Sequence, residues 1–345
     1  MDWFERLTGF RETGYADTRA QLAIEGRQLV SKVNGQRYGI GDLELVSLQT
    51  LRDRVRAGDA QSGTLSVRNI SGDVRALHAD PEFAGALFQV ASQFNLLEMV
   101  GPDVTPEQGV TRYQHDRTQG PACAMAAGAA TIYRNYFAPV AGEAGQTRDR
   151  QLDGLADIGT ALGSALGMPV SALWTMRNGY ALGTEAGLAA IGQHLRGLDE
   201  NGRDALRATV SIGLHSDVEV TDGDVLPRQR VSQAFCSALP VAYSRVRAEL
   251  WQPFAQLVLE AAYEATLLAA LLMPRRDAPR TVLLTRLGGG AFGNDVGWID
   301  SAMHRAMTQV LQFDLDVRIV NYGAPSTAML GLEQAFVGTR DATGK

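Results

Sequence analysis

The chain has 345 residues, 45% of them hydrophobic and 20% charged, with a net charge of −6. Such a length suits one large α/β domain or two smaller ones. The acidic balance argues against nucleic-acid binding, which needs a basic face. Cys123 and Cys236 lie far apart in apolar surroundings and read as buried free thiols in a reducing compartment, not a disulfide framework or a zinc site.

Residues 1–6 lack the basic-then-apolar layout of a signal peptide, so a cytoplasmic protein is expected. Residues 1–63 read as a small accessory unit. Two apolar runs, 29–33 and 36–40, flank Asn34-Gly35, a two-residue hairpin signal, and Ser47 opens a helix that stops near Gly58. From 64 to 338 the pattern is α/β. Residues 64–70 and 86–91 are predicted strands; the first runs into Ser71-Gly72-Asp73-Val74, the second into Ser92-Gln93-Phe94-Asn95. A polar segment, 101–120, leads to a predicted helix over 122–136, started by Gly120-Pro121.

Residues of about 140–205 form a mostly helical insertion, with helices over 153–166 and 185–195. Between them, Arg177, Asn178 and Tyr180 are candidates to cover a pocket. Strands resume at 208–215 and 231–240. The apolar stretch 250–273 is interrupted by Gln252, Gln256, Glu260 and Glu264 at i, i+4 spacing. That pattern makes an amphipathic helix packed on a sheet, and no membrane span is expected. Strands at 281–285 and 317–321 bracket the last long helix, and residues 339–345 read as a disordered tail. Strands alternating with helices predict an α/β fold with a mixed, mostly parallel sheet sandwiched by helices.

The run Leu284-Thr285-Arg286-Leu287-Gly288-Gly289-Gly290-Ala291-Phe292-Gly293-Asn294-Asp295 is the most informative. A β-branched apolar strand stops in a glycine triplet, and Asn294 or Asp295 caps the next helix. Strand, glycine loop and helix start together make an anion site, because backbone N–H groups face out and no side chain blocks a phosphate. The run is neither a P-loop nor a G-x-G-x-x-G fingerprint. Asp217, Glu219, Asp222 and Asp224 form an acidic stretch, with Asp217 and Glu219 on one strand face as alternative catalytic carboxylates. The five histidines show no metal-ligand spacing, so no metal is expected.

The order of these segments resembles the macrodomain fold. Gly72-Asp73-Val74 and the strand ending near Asn95 match its opening, and the 250–273 helix with the 281–295 strand and glycine loop matches its close. Residues 89–95, 116–121, 231–240 and 288–294 are similar to a divergent subgroup of macrodomain-like ADP-ribosylhydrolases, which includes bacterial effector enzymes that remove ADP-ribose from modified ubiquitin. The first loop departs from better-known macrodomains: the stretch 114–121 has no glycine triplet.

The resemblance implies an ADP-ribosylhydrolase acting on ADP-ribosylated protein side chains, with ADP-ribose as ligand and no cofactor. An effector of that kind would work in a host cytosol. It implies adenine contact for Asp73 and distal-ribose contact for Asn95, which also joins Asp116 and Glu219 as a catalytic candidate. Asp116 would stabilise an oxocarbenium-like transition state or activate water. Gln93, Gln119 and Gly120 would contact ligand, and Gly288, Gly289, Gly290, Ala291, Phe292, Gly293 and Asn294 would wrap the diphosphate and ribose. The plainer reading of Asp116 is a helix-start role, stabilising the helix N-terminus through its dipole. Three other functions remain open: a non-catalytic ADP-ribose reader, a nicotinamide-dependent oxidoreductase, and an interaction scaffold.

Overall fold

The computed structural model describes residues 1–58, 60, 62–223, 226–274 and 280–337. A seven-stranded sheet runs through it. In chain order its strands are β1 (Asp42–Ser47), β2 (Leu65–Ser71), β3 (Leu87–Ala91), β4 (Ser211–Glu219), β5 (Arg230–Cys236), β6 (Arg280–Leu284) and β7 (Leu315–Asn321). Their spatial order is β1-β4-β5-β3-β6-β7-β2. The five strands from β5 to β2 are parallel, β4 runs antiparallel to β5, and β1 antiparallel to β4. The expected mixed, mostly parallel sheet is present.

Strand periodicity sorts side chains onto two buried faces. Leu87, Ala234, Cys236, Val282 and Leu284 meet helices α1 (Leu48–Ala57), α5 (Ala156–Leu166), α6 (Glu185–Gly197), α8 (Ala248–Leu272) and α9 (Val296–Gln309). Phe88, Val90, Phe235 and Leu283 meet α2 (Val74–Ala79), α3 (Gln119–Ala126) and α4 (Gly128–Tyr136). Helix α10 (Thr327–Val337) closes the β2 edge. The single helix expected over 122–136 is two, because Ala127 leaves helical geometry at φ −114, ψ 58. The tail and Asp224 lie outside the described residues.

Residues 1–63 do not stand apart. The hairpin at Asn34-Gly35 forms, with Gly35 at φ 71. But β1 pairs with β4 at the sheet edge, and Leu48, Leu51 and Val55 of α1 enter the main core. Trp3, Phe4, Leu7 and Tyr38 pack with Leu97, Val110, Tyr113 and Tyr136. Glu12 accepts from the N–H of Val110 and of Thr111 and from the Tyr136 hydroxyl. The N-terminal segment thereby braces the loops of residues 97–115.

Helix α8 is long and apolar enough to cross a membrane by composition, yet it is buried in the core. Its polar stripe faces water only at the start of the helix: Gln252 is exposed and Gln256 half-buried, while Glu260 and Glu264 are buried. Glu260 takes Arg207 of α7 (Glu200–Ala208) at 2.5 Å. Glu264 takes Arg52 of α1 and Arg305 of α9, each at 2.6 Å, and Asp204 closes the network on both arginines. Two cations from separate helices converge on Glu264, which is almost fully buried, so its loss strands like charges. Glu264→Ala is expected to cost about 3 kcal/mol, read as a lower urea midpoint with unchanged m-value; a loss below about 0.5 kcal/mol would show the network to be idle.

Candidate functional site

Parallel strands place loops at their carboxyl ends, where ligands of open α/β sheets bind. Here the ladder between β3 and β6 is short: it pairs Leu87 with Val282 and Phe88 with Leu283. On the other side, β5 stays with β3 out to Ala91. Past Phe88 the strand's polar groups need other partners. The Gln119 amide supplies them, with Oε1 accepting from Ala91 N at 2.8 Å and Nε2 donating to Gln89 O at 2.8 Å. Gln89 Oε1 accepts from Thr285 N at 3.3 Å. The sheet therefore opens between β3 and β6, and a cavity of about 150 Å³ lies there.

Four segments line it. The first is the turn after β3. Gln93 Oε1 accepts from Met99 N (2.7 Å) and Asn95 Oδ1 from Leu97 N (3.1 Å), so two polar side chains fold residues 93–99 back on themselves. Gln93 lines the cavity; Asn95 is wholly buried beneath it and donates to Gln151 at 2.9 Å. The turn carries Glu98 into the cavity wall, 2% exposed. Burial pushes its carboxyl up to about 7, with Arg134 opposing.

The second segment is the start of α3. Asp116 is half-buried at the cavity edge, and one of its oxygens accepts from Thr118 N at 2.8 Å. It is both a helix-start residue and a pocket carboxylate. Gly120 is required by contact: a Cβ there would lie 1.9 Å from Ala91 O.

The third is the glycine loop. Tyr263 of α8 holds its root, donating to Thr285 O (2.7 Å) and accepting from Leu287 N (2.8 Å). Asn294 closes it by donating from its backbone to Gly288 O (3.0 Å) and from its side chain to Leu239 O (2.8 Å). Among the described residues, no protein acceptor takes the N–H of Gly290, Ala291 or Phe292. Those donors suit an anion. The helix start that the sequence suggested as part of this site is already filled: the Asp295 carboxylate caps α9 at Gly297 N.

The fourth is aromatic. Tyr180, from the insertion's hairpin (Trp174–Arg177 with Tyr180–Gly183), packs on Tyr243 at a centroid distance of 5.1 Å and on Phe292 at 5.3 Å, and those two rings lie 5.5 Å apart. Of the three residues expected to cover a pocket, Tyr180 lines it, Asn178 is buried and donates to Pro102 O, and Arg177 pairs with Asp103 outside.

Asp116, Gln93, Gln119, Gly120, Gly288, Gly290, Ala291 and Phe292 thus meet in one cavity. Gly289, Gly293, Asn294 and Asn95 shape its loops without lining it. Asp73 caps α2 by accepting from Arg75 N at 2.8 Å, at the carboxyl end of β2. Glu219 is misplaced as a catalyst. Because β4 is antiparallel to β5, Glu219 sits opposite Arg230, at the other end of the sheet, where it binds Gly39 N and Arg228. Asp217 and Asp222 pair with arginines.

Sequence reasoning missed Glu98; its signal is one charged residue in the apolar run Leu96-Leu97-Glu98-Met99-Val100. It also missed Tyr322, an aromatic ring 94% exposed just past β7.

Gly288 has φ 74, and a Cβ would lie 2.4 Å from Ala238 Cβ, whereas Gly290 has open space. Gly288→Ala is expected to lower stability by about 1–3 kcal/mol, while Gly290→Ala leaves the melting temperature unchanged. Equal melting temperatures for both variants would refute this account of the loop.

No family model and no curated protein matches the chain. Among solved structures it is similar to the poly(ADP-ribose) glycohydrolase of Deinococcus radiodurans in complex with ADP-ribose, at 14% identity and TM-score 0.43, covering 96% of this chain and 100% of that one. It is also similar to the enzyme of that name from Thermomonospora curvata, at 13% identity and TM-score 0.42, covering 94% and 97%. A complex of the latter with the inhibitor ADP-HPD matches at 14% identity and TM-score 0.41, covering 93% and 96%.

Proposed function

We propose that this chain binds ADP-ribose and hydrolyses the ribosyl linkage of ADP-ribosylated protein side chains, as its resemblance to macrodomain-like ADP-ribosylhydrolases implies. The observation that carries the reading is the order of groups along the carboxyl edge of the sheet. Asp73 follows β2 and Tyr322 follows β7, with Gly72 N donating to Asn321 O between them. Next comes the glycine loop after β6, then the cavity after β3 with Asp116 and Glu98. Three strand steps span about 14 Å, a reach that suits an extended dinucleotide-like ligand. Tyr322 offers a face for a base to stack on, and Asp73 an acceptor for an exocyclic amine. The unpaired loop N–H groups take the diphosphate, and the distal ribose enters the cavity.

A ribosyl bond breaks with positive charge growing on the anomeric carbon and ring oxygen. Asp116 at the cavity edge faces that charge. The aromatic wall of Tyr180, Tyr243 and Phe292 limits water to the cavity itself.

Calorimetry with ADP-ribose and release assays on arginine-, glutamate- and serine-linked proteins test the proposal, with poly(ADP-ribose) as a parallel substrate. Tyr322→Ala should weaken ADP-ribose by about 1–3 kcal/mol. Asp116→Ala should keep binding and lower turnover about 100-fold or more. Binding without release from any substrate would make the protein a reader, and absence of binding would overturn the reading.

A further inference from the structure

The wall of the cavity holds a charged group that the sequence did not flag. Glu98 Oε1 lies 3.4 Å from Arg134 Nη2, while Oε2 is buried and, among the described residues, has no partner at hydrogen-bond geometry; the Tyr113 hydroxyl, which accepts from Glu98 N, is a polar neighbour of the carboxyl. A buried carboxylate oxygen left unpaired is costly, and on a residue that lines the cavity it is the group that gains most from a proton donor admitted there. Asp116, the other carboxylate of the lining, is more exposed and already engaged at Thr118 N.

Arg134 is unusual in its own right. It is wholly buried on α4, its guanidinium stacks 3.8 Å from the Phe235 ring centroid, and its Nε and Nη2 donate to Leu96 O and Thr131 Oγ1. Leu96 belongs to the turn that presents Glu98. One side chain therefore holds the turn's backbone and balances its carboxylate.

We infer that Glu98 is the general base of the hydrolysis and that Arg134 is the residue that positions it; this rests on the ADP-ribose reading. Glu98 takes a proton from a water in the cavity as the water oxygen bonds to the anomeric carbon. The bond from that carbon to the protein's oxygen or nitrogen breaks, its electron pair leaves with the side chain, and Glu98 returns the proton to it. No other reactant is consumed.

The groups around Glu98 support a single titration near neutrality. Tyr113 from the 111–115 turn and Cys123 from α3 are pushed up by burial, and His215 from β4, behind Arg134, is held neutral by burial and by Arg134. Glu98, raised to about 7, is the member that changes charge there. A base works when ionised, so kcat/KM should rise with pH through about 7.

The test uses the full chain. Glu98→Gln should lower kcat about 100-fold or more, with ADP-ribose affinity nearly unchanged and a lower melting temperature, because Arg134 loses its counter-charge. Arg134→Gln should move the rising limb of the wild-type pH profile upward, and Arg134→Lys should restore it. The wild-type profile alone keeps the proposal falsifiable where a variant fails to fold: a flat kcat/KM between pH 6 and pH 8 overturns it. Full turnover in Glu98→Gln overturns the role of Glu98 and leaves the ADP-ribose reading intact. A wild-type protein that neither binds nor hydrolyses overturns both.

Discussion

β3 and β6 share only two paired positions, while β5 accompanies β3 to its end. The missing half of that ladder leaves backbone groups that cannot stay bare in a buried sheet. Side-chain amides fill the gap: Gln119 takes Ala91 N and Gln89 O, and Gln89 itself reaches Thr285 N. An amide can imitate a strand's donor and acceptor but not its width. Space therefore opens between the strand ends, and α3 is drawn in close enough that position 120 admits no Cβ. The cavity is a consequence of this substitution, and its walls are the segments that leave the opened strands.

Those walls are held from behind by parts of the chain remote in sequence. Tyr263, deep in α8, fixes the root of the glycine loop. Glu12 and the N-terminal apolar cluster fix residues 110–113. The insertion reaches in at Gly179, whose carbonyl accepts from Phe94 N, and at Tyr180, whose hydroxyl donates to Met99 O. Arg134 binds the same turn through Leu96 O. The turn that carries Glu98 is thus gripped from three sides. Ordering a site on such support leaves little conformational entropy to lose when ligand arrives.

Charge is handled in two ways. On α8, Glu260 and Glu264 are surrounded by arginines from three other helices, an arrangement that ties the helical layer together. At the cavity, Glu98 has one loose cationic partner and, among the described residues, one oxygen without a hydrogen bond. The first pattern is closed and structural; the second leaves a buried carboxylate oxygen unmatched on a residue that lines the cavity.

Much of this was legible in the chain. Apolar runs ending in Gly72-Asp73, Ser92-Gln93 and Gly288-Gly289-Gly290 marked strands and their carboxyl-end loops, because strand periodicity and glycine's freedom are local properties. Local properties also explain the hairpin at Asn34-Gly35 and the cap at Asp295. The errors have one cause. Glu219 looked catalytic beside a strand, but only strand direction says which end of the sheet it occupies, and pairing with β5 sends it away from the cavity. Residues 1–63 looked accessory because nothing local shows that β1 finds β4. Glu98 and Arg134 were passed over because each, alone, is a charge in an apolar run. The sequence by itself determined the elements, the glycine loop and the residues able to carry chemistry. Tertiary structure alone decided which of them share a cavity, because strand order, strand direction and the burial that tunes a carboxylate are made by contacts between distant segments.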